Sequence, residues 1–167
     1  MYNNLITIYF IIILLTGCVA TGPKFSDVQS SIDNKALIYI YRPFTPPIAL
    51  SPTILINDIR VAELTNKGFF DIYLNPGVYT IQADWSTLSG VPDGKVQFNA
   101  ESGKTYFVLV STTMNLKTMI PTAGALMPIF SSEGSIILVD EDAALNQIKT
   151  CNKLSDINSN SIIIRPE

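Results

Sequence analysis

No histidine occurs anywhere in these 167 residues. Its absence removes the side chain that most often acts as a general base near neutral pH, and with it the commonest metal ligand. Charge is scarce as well. Asp, Glu, Lys and Arg make up 15% of the chain, for a formal net charge of -3 and a pI near 4.9. The lysines (Lys24, Lys35, Lys67, Lys95, Lys104, Lys117, Lys149 and Lys153) are scattered along the sequence. Displacing counterions from phosphates takes a concentrated cationic surface, so nucleic acid is not an expected partner. Cysteine is confined to Cys18 and Cys151. No serine stands in a G-x-S-x-G elbow, and no pair of carboxylates can be placed for glycoside hydrolysis.

Hydrophobic residues are plentiful, at 47% of the chain. The N-terminus inflates that share. Met1 to Asn4 is short, polar and without Lys or Arg, and Leu5 to Leu15 (LITIYFIIILL) is apolar apart from Thr7. A run of about 11 residues matches the hydrophobic stretch of a secretion signal and falls well short of the roughly 20 that a spanning helix needs. Leu15-Thr16-Gly17-Cys18 follows directly. This resembles the lipobox of bacterial lipoproteins, in which a branched apolar residue and two small ones precede the cysteine. The resemblance implies a signal peptide over residues 1–17, peptidase cleavage between Gly17 and Cys18, and a lipidated Cys18 whose thiol carries a diacylglyceryl group by thioether, with palmitate among the acyl chains. One acyl chain anchors only marginally at about 0.8 kcal/mol per buried methylene, whereas two or three hold firmly. Val19 stands where an aspartate tends to retain such proteins in the inner membrane, so the resemblance points to the outer membrane, facing the periplasm. With Cys18 acylated, Cys151 has no intramolecular partner, and the domain is expected to fold without a disulfide.

The mature chain reads as one domain. Residues 18–34 contain Gly, Pro, Ser and Asp without periodicity, a flexible tether by composition. The globular part is expected over 35–153, and 154–167 as a tail or extra strand. Ala36 to Arg42 opens a β-type run, and Phe44 to Pro52 is too rich in proline for a central strand. Thr53–Asn57 and Arg60–Leu64 predict a hairpin about Asp58-Ile59. Gly68–Leu74 and Val78–Trp85 alternate about Asn75-Pro76-Gly77, a type II turn signal. Tyr79, Ile81, Ala83 and Trp85 should point inward. Strands follow at Lys95–Asn99, Lys104–Ser111 and Ser135–Val139. Asn115–Phe130, interrupted by Pro121, Gly124 and Pro128, reads as an irregular connection over the sandwich edge. Asp140 is expected to cap a helix over Glu141–Cys151 with the apolar stripe Ala144, Leu145, Ile148 and Cys151. Short strands between frequent turns favour a mostly β, sandwich-like domain with one C-terminal helix.

Tyr41-Arg42-Pro43, Pro76-Gly77-Val78-Tyr79, Gly103-Lys104-Thr105-Tyr106 and the acidic-capped helix, in that order, resemble a family of uncharacterised bacterial lipoproteins classed as a domain of unknown function. The resemblance covers roughly Ala36 to Lys153, and the P-G-x-Y turn is similar to that of PEGA-type β-sandwich modules. It implies an anchored envelope domain and carries over no catalytic residues.

Five candidate sites remain. Cys151 reads as a packing residue on the helix stripe, with an intermolecular disulfide as the alternative. Asp140, Glu141 and Asp142 suit a helix N-terminus better than a calcium loop. Tyr41, Arg42 and Trp85, with Tyr39 and Tyr73, form either sheet packing or an aromatic platform for sugar rings or peptide with Arg42 as a carboxylate clamp. Met119, Met127, Ile129 and Phe130 either fold over the sandwich or present an apolar surface to a partner or bilayer. Cys18 is the lipid attachment site. The expected function is a non-enzymatic envelope interaction or structural role without cofactor or metal, with a glycan- or peptidoglycan-binding module as the alternative.

Overall fold

The computed structural model describes residues 20–167 apart from Ser31, Asp33, Ile48, Ala123, Asp156 and residues 158–163. The signal segment, Gly17 and Cys18 lie outside the described residues. The chain folds as β1 (Ala36–Arg42), β2 (Thr53–Ile56), β3 (Ile59–Glu63), β4 (Gly68–Leu74), β5 (Gly77–Asp84), β6 (Gly94–Ala100), β7 (Thr105–Thr122), β8 (Ala125–Val139), α1 (Glu141–Ile148) and β9 (Asn152–Lys153). Two sheets form, ordered β8-β7-β1-β4-β9 and β3-β2-β5-β6. The fold is mostly β and sandwich-like, as the strand spacing predicts.

Strand β1 explains the layering. All seven of its residues are buried, which a strand needs when both faces of its sheet are covered. Ile38 and Ile40 join Phe70, Ile72, Leu74, Val108 and Val110 against the second sheet. Leu37, Tyr39 and Tyr41 point the other way, into a second core with Phe69, Phe107, Ala144, Ile148 and Cys151. Helix α1 closes that outer core with the predicted stripe. Tyr39 stacks on Phe107 with ring centroids 5.3 Å apart, an arrangement that contributes about 0.5–1.5 kcal/mol beyond area burial.

Four local expectations are corrected. The β2–β3 turn is Asn57-Asp58, one residue earlier than predicted, and both residues take positive φ (48° and 62°). That is the backbone a type I′ hairpin turn demands, and Asn and Asp tolerate it best after glycine. Gly77 does not occupy a type II turn position: with φ 147° it begins β5. A Cβ there would lie 2.3 Å from Pro166 Cβ, so close approach of the C-terminus also requires glycine. Asp140 occupies the N-cap position of α1, but its side chain makes no capping hydrogen bond. Glu141 and Asp142 act through the helix dipole alone. The helix ends at Ile148 rather than Cys151.

The described end of the C-terminal tail is docked rather than free. Ile164 is buried, the Asn57 amide donates to the Arg165 carbonyl at 2.7 Å, and Glu167 N–H donates to the Val78 carbonyl at 3.0 Å.

The largest correction concerns Asn115–Phe130, which is not an irregular cover. It is the outer part of one long antiparallel hairpin, β7 with β8, paired from Phe107↔Val139 out to Thr122↔Ala125 with one register shift between Leu116 and Thr118. Pro121 pairs with Leu126 and Met119 with Pro128, two register steps apart. Antiparallel pairs alternate in type, so both prolines sit at pairs of one type. In a ribbon two strands wide, one of the two types turns its N–H outward, where proline forfeits no ladder bond. The prolines therefore fit a strand whose neighbour lies on one side only.

A second correction concerns the expected tether. Between Ala20 and Ser30 it is held against the sheet, although Ile32 further on is exposed. Phe25 is buried edge-on against Tyr39 and Phe69, each at 5.5 Å, and its N–H donates to the Cys151 carbonyl at 3.1 Å. Gln29 N–H donates to the Tyr39 hydroxyl at 2.8 Å. One aromatic residue in a Gly-Pro-Ser-rich stretch, together with these hydrogen bonds, docks it on rings that the sheet already fixes.

Candidate functional site

Arg42 ends β1 fully buried, and no carboxylate among the described residues pairs with it. Backbone carbonyls take that role. Its guanidinium donates to Leu50 O at 2.8 Å, Pro47 O at 2.7 Å and Thr45 O at 3.1 Å, with a longer contact to Thr45 Oγ1 at 3.4 Å. The cation also lies over the Trp85 ring. Burial pulls its pKa down to about 10, still charged at neutral pH. Asn66 clamps the same loop, donating to Thr45 O at 2.5 Å and accepting from Thr45 N–H at 3.2 Å. The Thr112 hydroxyl donates to Pro46 O. The proline-rich loop is thus tied down from inside by Arg42, Asn66 and Thr112.

The predicted aromatic platform is consequently not a surface. Tyr41 and Arg42 have no exposure and Trp85 has 8%. Tyr41 donates to Gln147 Oε1 of α1 at 3.1 Å, and desolvation pushes its pKa up to about 12. Tyr39 is buried in the outer core, and Tyr73, half-buried, donates to Ser30 O at 3.0 Å. The structure brings Arg42 and Trp85 together, but as packing.

Cys151 is buried among Tyr41, Phe69 and Ile148. Its thiol contacts Arg42 O at 3.5 Å, and desolvation raises its pKa to about 11. A thiol that remains protonated and enclosed is a poor nucleophile, which suits the packing reading. Asp140, Glu141 and Asp142 stand at the start of α1, partly or fully exposed.

Of the predicted sites, the β7–β8 hairpin alone presents a broad apolar surface. Leu116 (53%), Met119 (50%), Leu126 (63%), Met127 (58%) and Phe130 (51%) are all exposed. Register assigns the pairs Pro121/Leu126, Met119/Pro128 and Leu116/Phe130 to one face, and Ile120/Met127 and Thr118/Ile129 to the other. Both faces of the arm are therefore apolar towards the tip, and no charged residue occurs from Thr118 to Ser132. Sequence periodicity alone could not reveal this, because a strand apolar on both faces shows no alternation.

The arm leaves the sandwich at one particular end. Asn152 pairs with Gly68 and Gly68 with Arg42, while Tyr41 pairs with Leu109 of β7. These residues form one row across the first sheet, and beyond it β7 continues to Thr122. Ala20 sits on the same row, since the Asn152 amide donates to its carbonyl at 2.8 Å. Three lysines separated in sequence also meet here. Lys24 belongs to a bridge with Asn152, Lys67 O accepts from Asn152 N–H at 2.8 Å, and Lys149 follows α1. All three are exposed. Near them Phe44 is exposed too, with Lys67 Nζ 5.4 Å above its ring.

Over residues 32–125 the chain matches a family of proteins of unknown function, DUF2846. The chain belongs to the DUF2846 family. No curated protein matches it. The DUF2846 match contains the three sequence landmarks, and each has a structural reason. Tyr41-Arg42-Pro43 carries the buried arginine. Gly77 admits Pro166. Tyr106 closes the β6–β7 turn, its hydroxyl donating to Asn99 O at 3.1 Å and accepting from Glu101 N–H at 3.0 Å. The match ends at the tip of the arm, so β8 and α1, which the sequence resemblance had included, lie beyond it.

Proposed function

We propose that this DUF2846 protein is a membrane-anchored bacterial lipoprotein whose β-sandwich has a non-enzymatic interaction or structural role in the cell envelope, at the outer membrane facing the periplasm. The observation that carries the reading is Leu15-Thr16-Gly17-Cys18 at the end of an apolar run of secretion-signal length. The docked segment is compatible with an anchor there: Ala20, two residues after Cys18, is tied to the sheet through the Asn152 amide. A non-enzymatic role agrees with a chain without histidine, whose buried thiol is held protonated. The likeness to PEGA-type modules rests on Pro76-Gly77-Val78-Tyr79 alone. No observation favours the glycan-binding alternative, because Tyr41, Arg42 and Trp85 face inward.

Substituting Cys18→Ser and fractionating cells tests the anchor. The wild-type protein should sediment with membranes and the variant should be released to the soluble fraction. Equal retention of the two would show that Cys18 does not hold the protein.

A further inference from the structure

We infer that the β7–β8 arm lodges its tip in the same lipid leaflet that holds the acyl chains on Cys18, so that the domain meets the bilayer at two points. The inference rests on the lipoprotein reading and extends it to a second membrane contact, made by residues of the folded domain.

Distance supplies the first argument. Ala20 is fixed to Asn152, and Cys18 lies two residues upstream. Two residues span at most about 7 Å, so an acylated Cys18 holds this end of the sandwich against the headgroups. The arm projects from the same row. Thr113 to Thr122, at about 3.3 Å per residue, gives it a reach of roughly 30 Å. Across the sheet, β9, β4, β1 and β7 are successive neighbours, which sets the arm's root roughly 15 Å from Asn152. An arm this long, rooted this near the anchor, reaches the lipid.

Composition supplies the second. The 15 residues from Thr118 to Ser132 carry no charge, with Lys117 and Glu133 marking the limits of the apolar part. Exposed apolar side chains on both faces suit an environment that surrounds the arm, whereas a protein groove would cover one face. Lys24, Lys67 and Lys149, exposed on the same end, match the negative surface of a leaflet containing anionic lipid.

Backbone chemistry fixes the depth. An open strand edge cannot enter the hydrocarbon core, where its N–H and C=O groups would lose water without replacement. The headgroup boundary, which an interfacial element penetrates by about 5–10 Å, still supplies water. Pro121 and Pro128, one on each strand near the tip, each remove a donor that would otherwise need it. Leu126 and Met127 on opposite faces then enter the acyl boundary while the edges stay wet.

The test uses the full-length acylated protein bearing Leu126→Cys, labelled with an environment-sensitive fluorophore. Cys151 is buried and Cys18 is blocked by its lipid, so the label is confined to the arm. Ser102→Cys, exposed in the β6–β7 turn at the opposite end, is the control. Both are reconstituted in phosphatidylethanolamine–phosphatidylglycerol vesicles with brominated acyl chains, and palmitate incorporation is measured on the same samples. The inference predicts a blue-shifted Leu126 label quenched several-fold more strongly than the Ser102 label. Palmitate-bearing protein with equal quenching at both sites overturns the arm contact and leaves the lipoprotein reading standing. Energy transfer between labels on separate chains without lipid quenching also overturns it, and assigns the arm to a second copy. Absence of palmitate removes the lipoprotein reading and the inference with it.

Discussion

The Arg42 guanidinium lies 4.8 Å from the centre of the Trp85 ring, joining the end of β1 in the first sheet to the end of β5 in the second. Around that contact the arginine satisfies three carbonyls of the proline-rich loop. A buried cation is costly unless its hydrogen bonds are made, and here the loop is shaped to make them. Its position beside the arm's root makes this junction the rigid base from which β7 and β8 project.

Replacing Arg42 by Ala strands those carbonyls away from water, at about 1–3 kcal/mol each for groups that stay dry. Arg42→Ala should therefore lower unfolding free energy by at least about 3 kcal/mol in urea. Arg42→Lys should recover only part of the loss, because an ammonium lacks the planar fork that reaches Leu50 and Pro47 together. A loss under 1 kcal/mol for Arg42→Ala would contradict the role assigned to the arginine.

Tyr79 presents the opposite case. Its hydroxyl is buried and has no hydrogen-bond partner among the described residues. Tyr79→Phe should be neutral or stabilising, by up to about 1–3 kcal/mol, since it removes a desolvated group that receives nothing in return. A clearly lower melting temperature for Tyr79→Phe would show that the hydroxyl is satisfied.

Much of the sandwich was legible in the chain. Alternation in Val78–Trp85 assigned the inward residues Tyr79, Ile81, Ala83 and Trp85, which the structure buries, and the spacing of Ala144, Ile148 and Cys151 placed the helix stripe. Where the reading failed, a long-range partner decided the outcome. Phe25 docks a segment that looks like linker because Tyr39 and Phe69 are waiting for it, and their pairing follows from the β1–β4 register. Pro121 and Pro128 read as strand breakers, but in a two-stranded arm they cost no ladder bond. For Arg42 the chain left packing and a surface clamp both open, because nothing local signals that Trp85, 43 positions later, will cover it. The lysines at the arm end are brought together by topology alone.

Gly77 should tolerate no side chain. Gly77→Ala places a methyl group against Pro166 at a φ of 147°, and should cost about 1–3 kcal/mol while releasing the Glu167–Val78 contact. Gly90, with φ 64° and nothing within 4 Å of its Cβ position, separates backbone strain from crowding. Gly90→Ala should cost about 1 kcal/mol and leave the C-terminus docked. Hydrogen exchange at Glu167 N–H reads the difference, and equal protection in both variants would contradict the crowding argument.

Alkaline pH should destabilise the domain. Burial raises Cys151 from 9.0 to about 11 and Tyr41 from 10.0 to about 12. The unfolded chain therefore releases protons that the folded chain retains, and stability falls as pH rises. The contribution is fully present below about pH 9, erodes between about 9 and 12, and is lost once both groups ionise in the folded state. Cys151→Ala should shift the onset of the decline upward by about one pH unit, as read from urea midpoints between pH 7 and 11. An unchanged onset would show that the thiol titrates normally in the fold.

Intact mass of the membrane-extracted protein after feeding cells labelled palmitate tests the anchor most directly. The account predicts a labelled chain whose first residue is Cys18, carrying diacylglycerol and retained with membranes. An unlabelled chain in the soluble fraction, still beginning at Met1, would contradict it.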